Sequence, residues 1–259
     1  MDRNQMVIPT AEPFLFQGDS VGCILVHGFT GTPKEMRWMG EYFANLGRTV
    51  LGVRLTGHAT QPADMVRTKW WDWLASVEDS IHLLRNNCDH VFMMGLSMGG
   101  ALTLLAAARY PLDGIIAMST PHALPTDPRL RLLPILKYLV PEVPKGPSDW
   151  HDLNNIQDHV SYPKYPTPCI PELLDLLAEM RSSLPQINTP VLLMQSRQDV
   201  TIPKESMKFI FDHVASPIKE MMWLENSGHV ITREPPRLQV YQAAENFINR
   251  ILSKESEPQ

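Results

Sequence analysis

The sequence predicts an α/β fold, a mostly parallel central sheet with helices on both faces. Strand-like apolar runs alternate with amphipathic helical patterns along most of the chain. The runs are apolar nearly throughout rather than at every second residue, as strands covered on both faces must be. One of them, in "VFMMGLSMGGALTLLAAARYP" (91–111), turns from strand to helix with only a glycine-flanked serine between.

In order along the chain, the strand-like runs are "VGCILV" (21–26), "RTVLGV" (48–53), "VFMMG" (91–95), "GIIAM" (114–118), "VLLMQ" (191–195) and "KEMMWL" (219–224). Between residues 72 and 86, Leu74, Val77, Ile81 and Leu84 fall on one helical face while Glu78, Asp79, His82 and Arg85 fall elsewhere. After the third run, Leu102, Leu105, Ala106 and Arg109 recur at helical spacing until Pro111 closes the helix. Tyr241, Ala244, Phe247, Ile248 and Ile251 form a last stripe near the C-terminus.

The rhythm breaks from Pro121 to Pro171, which holds roughly half of the 23 prolines. Leu130, Leu132, Leu133, Ile135, Leu136, Tyr138, Leu139 and Val140 make this stretch too apolar for a linker. It is expected to be a compact insertion of short helices, ending in the helix around 172–180. Residues 1–120 and 186–259 then form the core, and 121–185 an inserted cap. Leaving the sheet at the carboxyl end of run 114–118, the insertion would cover Ser97 as a lid.

The 259 residues, 44% apolar and 20% charged, describe a globular domain with material for a large core. A net charge of −5 argues against nucleic acid and anionic membranes as partners. No apolar run reaches the 18 or so residues of a membrane span. "MDRNQMVIPTAEPF" lacks the basic-then-apolar order of a signal peptide, so a cytoplasmic protein is expected. Cys23, Cys88 and Cys169 are odd in number and widely spaced, which reads as reduced thiols in a reducing compartment. No His/Cys cluster has metal-ligand spacing, and there is no dinucleotide or phosphate-binding glycine loop.

Gly95-Leu96-Ser97-Met98-Gly99 matches G-x-S-x-G, in which a sharp strand-to-helix turn lifts a serine over the sheet edge. A glycine-rich turn that merely packs a helix on a sheet would carry the same letters, so the other strand ends must decide. A serine hydroxyl needs a base, and the base needs an orienting group. His229, in "NSGHV", follows the last strand; Asp199, in "QSRQDVTIP", follows run 191–195. Ligands bind beyond the carboxyl ends of such strands, and the order Ser97, Asp199, His229 is that of the α/β-hydrolase arrangement.

Among the other histidines, His122 also begins a loop at a strand's carboxyl end and is the rival base. No acid follows it in the expected order. His82 and His90 read as solvated residues, and His58 as tying down its own loop. Asp149, Asp152 and Asp158, inside the insertion, read as surface charges. Oxyanion donors are expected from the backbone N–H of Met98, at a helix start, and of Phe29 in "VHGFTGTP" (26–33), with His27 bracing that loop.

The motifs "HGFTGTP", "RLTGHAT" and "GLSMGG", the Asp199 loop through Pro203, and "SGH" before the last helix resemble bacterial carboxylesterases and monoacylglycerol lipases of the α/β-hydrolase superfamily. The likeness covers nearly the whole chain, least in the insertion. It implies the α/β-hydrolase fold with a small cap, Ser97, Asp199 and His229 as triad, Phe29 and Met98 as oxyanion donors, and no cofactor or metal. Where the family commonly has Gly-His-Gly, this chain has Gly57-His58-Ala59.

The expected activity is hydrolysis of short- to medium-chain acyl esters or monoacylglycerols, with a small lipophilic ester as the partner. Haloalkane and epoxide hydrolases need an aspartate in place of Ser97. C–C hydrolases and perhydrolases share the triad. A non-catalytic binding protein of this fold would typically lack a triad member, and none is missing.

Overall fold

The computed structural model describes residues 6–147 and 149–255. In chain order the elements are β1 (Phe14–Phe16), β2 (Val21–Val26), α1 (Lys34–Asn45), β3 (Thr49–Val53), α2 (Pro62–Val66), α3 (Trp70–Arg85), β4 (His90–Leu96), α4 (Met98–Arg109) and β5 (Gly114–Met118). The insertion holds α5 (Leu133–Leu139), β6 (Glu142–Pro144), α6 (Leu153–Gln157), β7 (Lys164–Pro166) and α7 (Ile170–Ser183). The core resumes with β8 (Val191–Ser196), α8 (Ser206–His213), β9 (Lys219–Leu224) and α9 (Arg237–Glu255).

Seven strands form one sheet in the order β1-β3-β2-β4-β5-β8-β9. All neighbours are parallel except the edge pair β1–β3. Side chains alternate across each strand, so a run apolar at every position feeds two cores at once. Val91, Met93, Ile115, Ala117, Val191 and Leu193 face the layer of α3, α4 and α7. Phe92, Met94, Ile116, Met118, Leu192 and Met194 face the opposite layer, where α1 contributes Met36, Met39 and Phe43. There α9 contributes the predicted stripe, Tyr241, Ala244, Phe247, Ile248 and Ile251, all buried.

Several elements lie outside the sequence expectation, among them α1, β1 and the β6–β7 pair. Helix α1 buries Met36, Met39, Gly40 and Phe43 at helical spacing, but buries Glu35 with them. Strand β1 is only three residues long. The insertion is not helical throughout, since β6 and β7 pair antiparallel within it.

The insertion differs from end to end. At its front, Leu132, Ile135, Tyr138 and Leu139 are exposed; the side chain of Leu136 lies outside the described residues. At its rear, Leu176, Leu177 and Met180 of α7 are wholly buried, in the layer that contains α3 and α4.

Candidate active site

Ser97 stands between β4 and α4 with φ 56° and ψ −119°, a left-handed conformation that a side-chain-bearing residue adopts only under constraint. The flanking glycines supply the constraint. A Cβ on Gly95 would lie 2.1 Å from the Gly99 carbonyl oxygen, and one on Gly99 would lie 2.2 Å from that of Val26. The helix start is thus pressed against the end of β2, and the Ser97 N–H donates to Met118 O on β5 at 2.8 Å.

The preceding loop is held from three sides. Leu55 N–H donates to His27 Nε2 at 3.3 Å, so the ring proton sits on Nδ1, which donates to Gly28 O at 2.9 Å. Gly28 N–H donates to Glu35 Oε2, also at 2.9 Å. Both polar groups of Gly28, the residue before Phe29, are therefore fixed. His27 stays neutral, because burial first and the neighbouring His58 second hold it well below its ordinary value. His58 Nδ1 lies 3.2 Å from Thr56 O within its own loop, and burial pushes it down to about 4.

His229, between β9 and α9, places Nδ1 2.8 Å from Asp199 Oδ2. The other oxygen of Asp199, a residue only 1% exposed, accepts from Thr201 N–H at 2.8 Å and Ile202 N–H at 3.3 Å. Burial, the largest influence on His229, pulls its pKa down. The charge and hydrogen bond of Asp199, then the charges of Asp149 and Glu35, outweigh it and leave the pKa above the ordinary 6.5. His122 makes other contacts: its Nδ1 lies 3.0 Å from Ser206 Oγ, and its ring stacks on Phe209 at 4.5 Å.

Ser97, Met98, Phe29 and His229 line one cavity of about 980 Å³. Of the insertion's apolar residues, Leu130, Leu133 and Val140 also line it, while Leu132, Ile135 and Leu139 face outward. Glu35, Lys145, Asp149, His159 and Ser161 give the cavity a polar flank. There Lys145 Nζ donates to Ser161 Oγ at 3.0 Å, and His159 Nε2 lies 3.6 Å from Glu35 Oε1. Burial pushes His159 down to about 3 and raises Glu35.

The sequence reading found none of these five flanking residues in the site. Asp149, read as a surface charge, instead accepts hydrogen bonds from the loops of Asp199 and His229. Asp158 does lie at the surface, its side chain 49% exposed, and there it pairs with Lys34 at 2.5 Å and Arg233 at 2.7 Å. No local pattern marks either; both acquire their partners through the fold.

Among the described residues, no group of three or more His, Cys, Asp or Glu could hold a metal ion, and no helix is long and apolar enough to cross a membrane. The thiols of Cys23, Cys88 and Cys169 are unpaired and buried. Burial pushes Cys23 and Cys169 up to about 12, so neither offers a thiolate nucleophile.

The chain is 37% identical over 238 residues to a thermostable monoacylglycerol lipase of Bacillus sp. (strain H-257), covering 90% of this chain and 92% of that one. It is 28% identical over 249 residues to a carboxylesterase of Bacillus subtilis (strain 168), covering 95% and 99%. A solved structure described with LipS and LipT, two metagenome-derived lipolytic enzymes, superposes with a TM-score of 0.89 at 36% identity, over 94% of this chain and 99% of that one. The family model described as serine aminopeptidase, S33, matches residues 21–236. With the parallel sheet, the serine elbow between β4 and α4 and that match, the chain belongs to the serine aminopeptidase S33 family of α/β-hydrolases.

Proposed function

We propose that the chain is a serine carboxylester hydrolase acting on short- to medium-chain acyl esters or monoacylglycerols, with Ser97 as nucleophile, His229 as base and Asp199 as orienting acid. The observation that carries this reading is the 2.8 Å contact of His229 Nδ1 with Asp199 Oδ2, at a cavity that the Ser97 elbow also lines. Asp199 keeps the imidazole proton on Nδ1, which leaves Nε2 to accept the Ser97 proton as Oγ bonds to the ester carbon. The carbonyl oxygen becomes an oxyanion, received by the N–H groups of Phe29 and Met98. The His229 imidazolium then protonates the leaving alkoxide as its C–O bond breaks. Water repeats the sequence on the acyl-enzyme and frees Ser97.

Residues 121–185 act as a cap over a core of 1–120 and 186–259, and the exposed front of that cap is its moving part. Leu130, Leu133 and Val140 support a lipophilic acyl group, and the names of the two bacterial relatives support the ester class. The unpaired thiols fit a reducing cytoplasm, and the net charge of −5 fits a protein without a nucleic-acid partner.

A screen of p-nitrophenyl esters of increasing chain length, beside monoglycerides, tests the reading with three variants. Ser97→Ala and His229→Ala should each lower kcat by about 10³-fold or more with the fold intact, whereas His122→Ala keeps most of its turnover. Near-parental turnover in Ser97→Ala, or His122→Ala more damaged than His229→Ala, overturns the assignment.

A further inference from the structure

We propose that Asp149, a residue of the insertion, is a positioning residue for His229, its carboxylate tying the loop of the base to the loop of the acid. Asp149 Oδ2 accepts the His229 N–H at 2.9 Å and the Val200 N–H at 3.3 Å. Val200 directly follows Asp199, so one oxygen anchors the backbone beside both members of the His229–Asp199 pair. The inference rests on the triad reading above and adds a residue to it.

The contact is reciprocal. From the core side, Glu234, fully buried, accepts the N–H groups of His151 and Asp152 in the insertion and of Gly228 beside the base, at 3.1–3.2 Å. Each partner thus sends a carboxylate into the other's backbone. Gly228 is the point of closest approach: a Cβ there would lie 2.2 Å from Asp149 O and 2.7 Å from its Cγ. More ties hold the segment beyond Asp149 against the core. Asn155 Nδ2 donates to Arg233 O, Thr32 Oγ1 donates to Val160 O at 2.9 Å, and Tyr162 N–H donates to Thr30 O at 2.9 Å. Residues 149–162 are therefore fixed to the loops that carry Phe29 and His229.

The position of Asp149 has an electrostatic consequence as well. The charged groups that act on His229 come from three elements: Asp199 after β8, Asp149 from the insertion and Glu35 from α1. An imidazolium forms at His229 in both halves of the cycle, and Asp149 supplies a second carboxylate that stabilises it without occupying Nδ1.

Two substitutions separate anchoring from charge. Asp149→Asn keeps an acceptor for the two N–H groups and removes the charge, while Asp149→Ala removes both. The measurement is the pH profile of kcat and KM on an acetyl ester, which makes no use of a long acyl pocket, alongside Ser97→Ala. Asp149→Asn should move the acid limb of kcat/KM to lower pH by about half a unit or more. Asp149→Ala should show that shift plus a fall in kcat of about tenfold with KM little changed. Labelling of Ser97 by a serine-directed phosphonate should slow in parallel.

A side chain that only holds the fold together would not move the acid limb. If Asp149→Ala fails to fold, the Asn profile decides alone. An Asp149→Asn profile superimposed on the parent's overturns the proposal, as does an unchanged kcat in a folded Asp149→Ala. Activity surviving in Ser97→Ala would instead overturn the triad reading beneath it.

Discussion

Glu35 sits 6% exposed within the first turn of α1, accepting the Gly28 N–H beside the proposed oxyanion donor Phe29. Burial is the main influence that raises its pKa above the ordinary 4.5, so the folded protein holds this proton more tightly than the unfolded chain. Stability from that proton is complete below about 4.5 and is lost as pH rises through the higher folded value. Glu35→Gln retains an acceptor and carries no such penalty. Its Tm should match the parent's near pH 4 and exceed it near pH 8, by about 2–4 °C for each kcal/mol in a chain of this size. A Tm difference of the same size at both pH values would refute the buried-charge account. Glu35 was illegible in the sequence because a carboxylate at an inward helical position reads as a break in the apolar stripe. The shared edge of Ser97, Asp199 and His229 was legible because each lies after a strand, where chain order and sheet topology bring the loops together.

Among the elements, the insertion combines two mechanical parts. Residues 149–162 and α7 are bound to the core by hydrogen bonds and burial, whereas α5 presents Ile135, Tyr138 and Leu139 outward, each more than 60% exposed. Leu130, Leu133 and Val140 of the same front segment line the cavity. Each acyl methylene buried there should contribute about 0.8 kcal/mol, close to fourfold in kcat/KM, until the space is filled. Shortening the 130–140 stretch should flatten that climb with chain length and leave acetyl-ester turnover largely intact. An unaltered chain-length profile in a folded shortened variant would show that this wall is not an acyl pocket. The crowding of prolines and leucines set residues 121–171 apart from the strand–helix rhythm, but did not reveal the β6–β7 pair. Strands of three residues that each include a proline carry no readable alternation.

At the scale of the whole molecule, the parallel core was legible because its inner strands are apolar at nearly every position, a pattern that two covering layers explain. Strand β1 was not, since three residues at an antiparallel edge leave no period to detect. The sheet also pairs β5 directly with β8 although residues 119–190 lie between them in the chain. That seam bears on how the protein reaches its native state. The last two strands must find the first five across a long loop, so their docking is a non-local step that local structure does not accelerate. The entropy of closing such a loop grows only logarithmically, and halving it changes the cost by about 0.6 kcal/mol. Refolding of a cap-shortened variant, followed by stopped-flow tryptophan fluorescence, should therefore differ from the parent by less than about threefold. A larger change would mean that the insertion folds first and guides the seam together; a small one means that this sheet admits covers of very different length at almost no kinetic cost.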